Sequence, residues 1–348
     1  MSTEQSSAVI AEIRDLRVHF PVRRGRRRLT ARAVDGIDLQ IHQGEIVALV
    51  GESGCGKTTV ARTIMRLQEP SSGSVAIGGV DITRARGRGL RRLRRDFQMI
   101  FQDPFECLVA NSTAIDVVTE GLRIHRADLD AAARRTAGLT ALEMCGLTPA
   151  EAIAERRIFQ LSGGQRQRVA IAAALAIEPR LLVADEPVSM LDVSLRAGVI
   201  RVLLDLRERL GIAMLFITHD LALAGVFADR VVVLYLGRVV EQGPAAEVIG
   251  SPRHPYTAAL VGVMPKADAG HRGPRPILSG EPPNATATVS GCRFRPRCPL
   301  YRQLGEPEIC QAEEPALPII ASDASADHVV ACHFPDGDTS TTPKENIS

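Results

Sequence analysis

Short apolar runs separated by longer amphipathic stretches are the main pattern along this chain of 348 residues. Four of the runs have the length of buried strands, and they span residues 34–41, 45–50, 181–184 and 213–217. Helix-like stretches occur at 169–176 and 193–210. Because apolar strands that alternate with helices are typical of a parallel sheet covered on both faces, the pattern predicts an α/β fold with a mainly parallel sheet.

Composition divides the chain into regions. Residues 1–250 carry the strand pattern and are expected to form one domain, in which a polar, helix-like insertion predicts a helical subdomain at about 103–178. A segment rich in Pro, Gly, Ala and Thr at 266–290 predicts a linker within a C-terminal extension at 251–335. Residues 336–348 are polar without periodicity and predict a disordered tail.

Charge and hydropathy restrict the partners. The chain has 42 basic and 40 acidic residues, and this balance gives no general reason to expect binding to nucleic acid. Two arginine-rich runs, at 23–28 and 84–95, are interpreted first as solvated surfaces and second as contacts with anionic lipid or nucleic acid. No apolar run approaches the ~18 residues that span a bilayer, and the N-terminus lacks a secretion-signal pattern. We therefore expect a cytosolic protein whose seven cysteines are reduced.

A phosphate-binding loop is predicted directly after the second strand. The matching residues are Gly51, Glu52, Ser53, Gly54, Cys55, Gly56, Lys57, Thr58 and Thr59. The glycines let backbone N–H groups point at phosphate oxygens, Lys57 supplies a positive charge, and Thr58 offers a hydroxyl to Mg²⁺. A chance glycine turn is the weaker alternative, because a strand precedes the segment. The loop predicts nucleotide binding but does not identify the class of nucleotide-binding protein.

Two adjacent carboxylates, Asp185 and Glu186, end a buried apolar strand. Burial of an acid costs free energy, so a pair of acids needs a reason. Asp185 is predicted to hold Mg²⁺, directly or through water, and Glu186 to act as general base for the attacking water; a helix cap is the alternative for Asp185. His219 ends another apolar strand and is predicted to sense the γ-phosphate, with a polar cap as the alternative.

A second helix N-terminus that is suited to binding an anion is predicted further along the chain. It consists of Leu161, Ser162, Gly163, Gly164 and Gln165. No phosphate loop accompanies this segment, so we infer that it binds a nucleotide held by another subunit. The alternative is an ordinary serine-capped helix, which would not need the Gly-Gly-Gln sequence.

The motifs, in this order and spacing, resemble those of the ATP-binding-cassette ATPases over roughly residues 12–250. The resemblance rests on the phosphate loop, Gln102, residues 161–165, 181–186 and 189–192, and His219. It implies a P-loop NTPase fold with an antiparallel β subdomain and an inserted helical subdomain, and ATP and Mg²⁺ as ligands. It also implies that Gln102 touches Mg²⁺ and senses membrane subunits, and that Phe20 stacks on adenine, although a core role for Phe20 stays open. The loop that crosses to the partner site would be Ser189, Met190, Leu191 and Asp192.

The resemblance also implies a machine of several subunits. Two cassettes would close on two MgATP molecules, hydrolyse them and reopen, and the movement would pass to two transmembrane permease subunits. An importer further needs an extracytoplasmic substrate-binding protein, and the second cassette of similar importers is usually a related but different chain. The expected location is peripheral, on the cytoplasmic face of a bacterial inner membrane.

The C-terminal sequence narrows the resemblance. Residues 254–257, 278–283 and 291–299 resemble the extension of oligopeptide and dipeptide importer ATPases. That group includes importers of nickel and other small solutes, so peptide import is the expected function and nickel import the alternative. Residues 103–110 depart from the usual pattern of peptide importers, which predicts an unusual contact with the membrane subunit.

Four cysteines lie in this extension, namely Cys292, Cys298, Cys310 and Cys332. Thiolates in a reducing compartment bind soft metals, and these spacings are looser than the close cysteine pairs of most zinc sites. Resemblance to peptide-importer ATPases favours a structural 4Fe-4S cluster. Zn²⁺ and metal-free buried thiols stay open as alternatives.

Two other kinds of cassette ATPase fit the sequence less well. Soluble cassette ATPases that act in DNA repair or on ribosomes typically carry paired cassettes or long coiled-coil insertions, and this sequence has neither pattern. For an exporter or a lipid-extracting cassette, the cysteine-rich tail would be out of place.

Overall fold

The computed structural model describes residues 8–25, 27–103, 107–264, 280, 283, 286, 289–318 and 328–335. Most of the predicted linker at 266–290, including most of 278–283, and all of the predicted tail at 336–348 lie outside these residues. The described residues form two compact units, and those of the first lie within Met1–Arg14, Asp38–Ile46 and Val60–Thr218. The described residues of the second lie within Asp15–Ile37, Val47–Thr59 and His219–Ser348. The domain limits expected at 250 and 335 stay predictions.

The described elements follow in chain order. The strands are β1 (Val9–Arg24), β2 (Arg27–His42), β3 (Ile46–Val50), β4 (Ser72–Ile77), β5 (Val80–Asp81), β6 (Phe97–Ile100), β7 (Leu181–Asp185), β8 (Ala213–Thr218), β9 (Arg230–Tyr235), β10 (Arg238–Pro244) and β11 (Val329–Val330). The helices are α1 (Lys57–Ile64), α2 (Gly87–Leu93), α3 (Ala114–His125), α4 (Ala131–Met144), α5 (Ala150–Ala154), α6 (Gly163–Leu175), α7 (Val193–Leu210), α8 (Leu221–Phe227), α9 (Ala245–Gly250), α10 (Pro255–Gly262), α11 (Pro299–Gln303) and α12 (Ile309–Ala312).

Three parallel strands of the first unit set the position of the predicted acids. Phe97 of β6 lies opposite Leu181 of β7, which lies opposite Ala213 of β8. Every residue of β7 and β8 is buried, as expected from the apolar runs. Because carboxyl ends of parallel strands meet at the same edge, the residues that follow β6 and β7 lie side by side.

A separate sheet has the order β2-β1-β4-β5. Its strands β4 and β5 pair antiparallel, with Ala76 opposite Asp81. The expected antiparallel β part of the fold is therefore confirmed. The first arginine-rich run lies at the connection between β1 and β2, where Arg23 and Arg28 are exposed.

The helices α3 to α6 pack on one another within the first unit. A capping box at Thr113 begins α3, and Asp130 caps α4 by accepting a hydrogen bond from the backbone N of Ala133. Gly138 lets α4 approach α3, because a Cβ there would lie 2.7 Å from the Cδ1 of Ile115. No helix in the described ranges is both long and apolar enough to cross a bilayer.

Helix α2 carries the second arginine-rich run and has no buried residue. Arg88, Arg91, Arg92 and Arg95 are exposed and line one surface depression together with His125. The spacing of three and four residues places Arg88, Arg91 and Arg92 on one face of α2, and Arg95 follows the helix. Burial, followed by the charges of Arg91 and Arg95, lowers the pKa of His125. The exposure agrees with a solvated helix face.

The second unit has an aromatic core under β9. Strand β3 runs parallel to β9, and β10 pairs antiparallel with both β9 and β11. Tyr235 at the end of β9, Tyr256 and Phe294 are fully buried, with ring centroids between 4.8 and 5.5 Å apart. Aromatic side chains at these distances pack favourably. Residues on both sides of the predicted linker thus share a core with β9.

Candidate functional site

The predicted phosphate loop joins the end of β3 to the start of α1. Gly51 and Gly56 have φ values of +156° and +112°. A Cβ on Gly51 would collide with the carbonyl oxygen of Leu234, and a Cβ on Gly56 with that of Ala33. The fold of the loop itself therefore requires both glycines, in addition to the expected approach of phosphate.

Lys57 lies inside the curl of the loop, where it is 5% exposed. Its Nζ donates to the carbonyl oxygens of Gly51 at 2.7 Å and of Glu52 at 3.0 Å. The Cys55 Sγ lies 3.8 Å from the same Nζ, and burial raises the pKa of this thiol, which stays protonated at neutral pH. The remaining predicted loop residues are the exposed Ser53 and Gly54, and Thr58 and Thr59 in the first turn of α1.

The two predicted acids lie at the end of β7. Asp185 is its last residue and is buried, and Glu186 follows with a left-handed φ of 45°. The backbone N of Glu186 donates to the carbonyl oxygen of Ile217 at 3.0 Å. Its own carbonyl oxygen accepts from the N and Oγ of Ser189 at 3.1 and 3.0 Å. A left-handed backbone conformation at a non-glycine residue costs about 1–3 kcal/mol. These bonds maintain it and so fix the direction in which the Glu186 side chain leaves the backbone.

Gln102 and Glu186 meet in the structure, although 84 positions separate them. Gln102 lies two residues after β6, and its Nε2 donates to the Glu186 Oε2 at 3.4 Å, a long hydrogen bond. The neighbouring parallel strands β6 and β7 bring the two side chains together. Gln102 is thereby placed to orient the carboxylate.

His219 directly follows β8 and is exposed. The next residue, Asp220, caps α8 by accepting a hydrogen bond from the backbone N of Leu223 at 3.0 Å. The cap of that helix is thus Asp220, and γ-phosphate sensing by His219 stays a prediction. Phe20 of β1 is half-buried, and its stacking on adenine also stays a prediction.

The predicted second helix start is the N-terminus of α6, after the buried Leu161. Ser162 is the N-cap, and its Oγ accepts from the Gln165 backbone N at 3.3 Å. The Gln165 Oε1 in turn accepts from the Ser162 backbone N at 3.0 Å. Gln165 thus has a structural role as the third helical residue in a capping box, and the binding of a partner's nucleotide by this helix start stays a prediction.

The two glycines of this helix start have different surroundings. A Cβ on Gly164 would lie 3.2 Å from both methyl groups of Leu195, so this glycine permits close packing of α6 on α7. A Cβ on Gly163 would have Leu191 Cδ2 as its nearest neighbour, at 4.0 Å. Packing within the first unit therefore does not require a glycine at 163.

The predicted crossing loop connects β7 to α7. Leu191 is buried, and Asp192 caps α7 by accepting a hydrogen bond from the backbone N of Leu195 at 3.0 Å. Met190 is 63% exposed, which is unusual for a large apolar side chain. The preceding residue, Ser189, donates from its Oγ to the backbone carbonyl oxygen of Glu186 at 3.0 Å.

The four cysteines of the extension line one small cavity of the second unit. Its described lining contains no carboxylate. Burial raises the pKa of all four thiols, to about 12 for Cys292 and about 11 for Cys332. Among the described residues, however, no three His, Cys, Asp or Glu side chains are grouped as metal ligands. The donor type suits a soft metal, and the spacing is not that of a closed metal site.

Two residues beside the phosphate loop were missed by the sequence analysis. The Tyr256 hydroxyl oxygen accepts a hydrogen bond from the backbone N of Glu52, and Arg297 forms an ion pair with the Glu52 side chain. Both lie in segments whose only signal in the sequence is their resemblance to a family. Separations of 204 and 245 positions hide these contacts from local patterns.

Comparisons with known proteins agree on one family. Residues 34–189 match the family model described as ABC transporter, and residues 240–303 match the oligopeptide/dipeptide transporter, C-terminal region. A peptide import ATP-binding protein of Brucella ovis is 44% identical over 84% of this chain and 90% of its own length. The oligopeptide transport ATP-binding protein OppF of Salmonella typhimurium is 40% identical over 93% of this chain and 96% of its own.

A solved structure supports the fold. The dimeric post-hydrolysis structure of the ATP-binding cassette MJ0796, bound to ADP and phosphate, is 31% identical with a TM-score of 0.61. The match covers 68% of this chain and 99% of that one. The α/β cassette expected from the sequence is therefore confirmed.

Proposed function

Because this chain belongs to the family of ABC transporter ATP-binding proteins, we propose that it hydrolyses MgATP to drive uptake of di- or oligopeptides. The match of residues 240–303 to the oligopeptide/dipeptide transporter C-terminal region supports peptides as the transported solutes. The names of the Brucella and Salmonella relatives support the same class. Import of nickel or another small solute by the same machine is the alternative.

The proposed roles divide binding from hydrolysis. The phosphate loop binds the β- and γ-phosphates through its N–H groups and Lys57, and Phe20 stacks on the adenine. The oxygens of Thr58, Asp185 and Gln102 are hard donors of the kind that Mg²⁺ prefers. Mg²⁺, when bound, neutralises charge on the phosphates.

Hydrolysis itself needs a base and an orienting group. The Glu186 carboxylate takes a proton from water while the water oxygen attacks the γ-phosphorus, and ADP leaves with the electrons of the broken bond. Gln102 holds the carboxylate through the bond described above, and His219 donates a hydrogen bond to the γ-phosphate.

We assign the α6 start to the nucleotide of a partner cassette. The open space above Gly163 supports this, because no packing within its own unit explains that glycine. The first turn of α6 has no acidic side chain that would repel phosphate, and the helix N-terminus carries a partial positive charge. A glycine at its first position lets a phosphate group approach closely. Two chains would then complete two sites, and the exposed Met190 would belong to the contact between them.

Replacement of Glu186 tests the catalytic part. Glu186→Gln should retain MgATP binding and lower ATP hydrolysis by about 100-fold or more, because the amide cannot accept the proton from water. The trapped ATP should favour a dimer, measured by size-exclusion chromatography with MgATP. Glu208→Gln, an exposed change on α7, is the control and should behave as the wild type. Hydrolysis by Glu186→Gln at the wild-type rate would exclude the base role.

The transport part is tested in cells. We propose partners of three kinds: a second ATP-binding subunit related to this chain, two transmembrane permeases, and an extracytoplasmic substrate-binding protein. We propose that the chain lies with these partners on the cytoplasmic face of the membrane. Deletion of the gene should abolish uptake of labelled di- or oligopeptides, and the wild type but not Glu186→Gln should restore it. Loss of nickel uptake with unchanged peptide uptake would favour the alternative.

We also propose that the four cysteines bind a 4Fe-4S cluster. Their position around one cavity without carboxylates supports this, although the thiols would have to draw closer together to act as ligands. Such a cluster would stabilise a segment with a small core of its own.

Metal analysis tests the cluster. Protein purified without oxygen should contain iron and acid-labile sulfide and absorb visible light, and Cys298→Ser with Cys310→Ser should lose all three properties. Cys107→Ser, which changes an exposed cysteine elsewhere, should retain them. Zinc without sulfide would replace the cluster by a zinc site, and absence of both metals would contradict the proposal.

A further inference from the structure

The phosphate loop is bonded to the C-terminal extension through Glu52. The Arg297 Nη1 donates to the Glu52 Oε2 at 2.7 Å, and the Nη2 donates to the Oε1 at 3.0 Å. This is a bidentate ion pair, the strongest geometry for arginine and carboxylate. The side chains are 5% and 27% exposed, so solvent screens the pair less than a surface pair.

Arg297 also has contacts other than the one with Glu52. It ends a short 3₁₀ helix, Arg295–Arg297, between Cys292 and Cys298. Its guanidinium carbon lies 6.0 Å from the centre of the Tyr235 ring, at the range of a cation–π contact. The segment is anchored where the Cys292 backbone N donates to the Cys310 carbonyl oxygen at 3.0 Å. The extension therefore presents the guanidinium in a defined position.

Glu52 is bonded at three points around the loop. Its backbone N donates to the Tyr256 hydroxyl at 2.9 Å, and its carbonyl oxygen accepts from the Lys57 Nζ at 3.0 Å. Its side chain holds Arg297. A shift of Glu52 would therefore move a carbonyl oxygen that positions Lys57, the lysine expected to contact phosphate.

The charge of Glu52 makes the pair important for an anionic ligand. A carboxylate within a loop that binds triphosphate repels that ligand unless a cation compensates it. Arg297 is the cation that touches both carboxylate oxygens. The hydrogen bond to Glu52 also raises the pKa of Arg297, so the compensating charge is permanent.

We infer that Arg297 is a positioning residue for the phosphate loop: it orients Glu52 and compensates its charge, so that nucleotide affinity depends on the C-terminal segment 291–298. This inference rests on the proposed binding of nucleotide by the loop. It gives the extension a direct effect on the ATP site.

Equilibrium titration of a single and a double variant with MgATP tests the inference. Arg297→Gln leaves the Glu52 carboxylate uncompensated and should weaken MgATP binding about tenfold. Glu52→Gln combined with Arg297→Gln removes both charges, and its Kd should return to within about threefold of the wild type. Arg302→Gln removes a positive charge from an exposed position on α11 and should leave the Kd unchanged.

The outcomes separate charge and position from simple loss of folding. A structural role alone would leave the double variant as weak as Arg297→Gln, and that result would overturn the inference. An unchanged Kd for Arg297→Gln would overturn it as well. If Arg297→Gln does not fold, Arg297→Lys replaces it, and this variant should weaken binding less than tenfold and regain the wild-type Kd when Glu52→Gln is added. Absence of MgATP binding by the wild type would instead contradict the proposed function.

Discussion

At the scale of single residues, Glu241 and His254 explain a motif that the sequence showed without a reason. Glu241 is fully buried, and its carboxylate accepts from the backbone N of Arg253 and of His254 at 2.7 and 3.0 Å. It also lies 2.6 Å from the His328 Nε2. The His254 Nδ1 accepts from the Tyr256 backbone N at 3.0 Å and so begins α10. The motif at 254–257 thus places the Tyr256 hydroxyl beside Glu52.

The burial of His254 should make the free energy of unfolding depend on pH. Burial lowers its pKa to about 3 from 6.5. Between these values the unfolded chain binds a proton that the folded chain does not, so stability falls as the pH falls, by up to about 1.4 kcal/mol per pH unit. His254→Asn, whose amide oxygen can accept the same bond, should lose about 2 kcal/mol less than the wild type between pH 7 and pH 5.

Urea unfolding at the two pH values measures this difference. His333→Asn, which makes the same change at a half-buried histidine whose Nε2 lies 3.0 Å from the Glu313 carbonyl oxygen, is the matched control for an effect specific to His254. Equal losses of stability in His254→Asn and the wild type would show that this ring is protonated in the folded protein.

At the scale of elements, β7, β8 and α7 were predicted to within one residue, whereas the starts of β2 and α6 were missed. The runs at 181–184 and 213–217 appear as β7 and β8 within one residue, because buried parallel strands must be apolar throughout. Helix α6 begins at Gly163, six residues before the predicted apolar stretch. Its first turn is stabilised by the reciprocal bonds of Ser162 and Gln165, which polar residues supply without hydrophobic periodicity.

At the scale of the whole molecule, the proposed sites are shared between two chains. A phosphate loop from one chain and an α6 start from the other would make each site, so a defect in either part would inactivate both sites of a uniform dimer. In a mixed dimer, one chain would have a defective phosphate loop and the other a defective α6 start. Both defects would then lie in the same site. The second site would then be intact.

Shared sites should allow two inactive variants of the chain to complement each other. Lys57→Ala should lose phosphate binding, and Gly163→Asp should repel a partner's phosphate while an acid in the first turn stabilises α6. Each variant alone should lose most ATP hydrolysis, and an equal mixture should recover part of it. Wild type mixed with either variant is the reference, and each variant's thermal unfolding checks its fold. A mixture no more active than its components would contradict the sharing of sites between two copies of this chain.

The sequence alone determined the nucleotide chemistry and the family, because phosphate binding needs a few residue types at short, fixed spacings between a strand and a helix. Gln102 and Glu186 were both named from the sequence, but their contact required the pairing of β6 with β7. Only the tertiary structure placed Arg297 and Tyr256 on Glu52 and gathered four dispersed cysteines around one cavity. Contacts across more than 200 positions depend on how buried elements pack, and packing leaves no periodic signal in the chain.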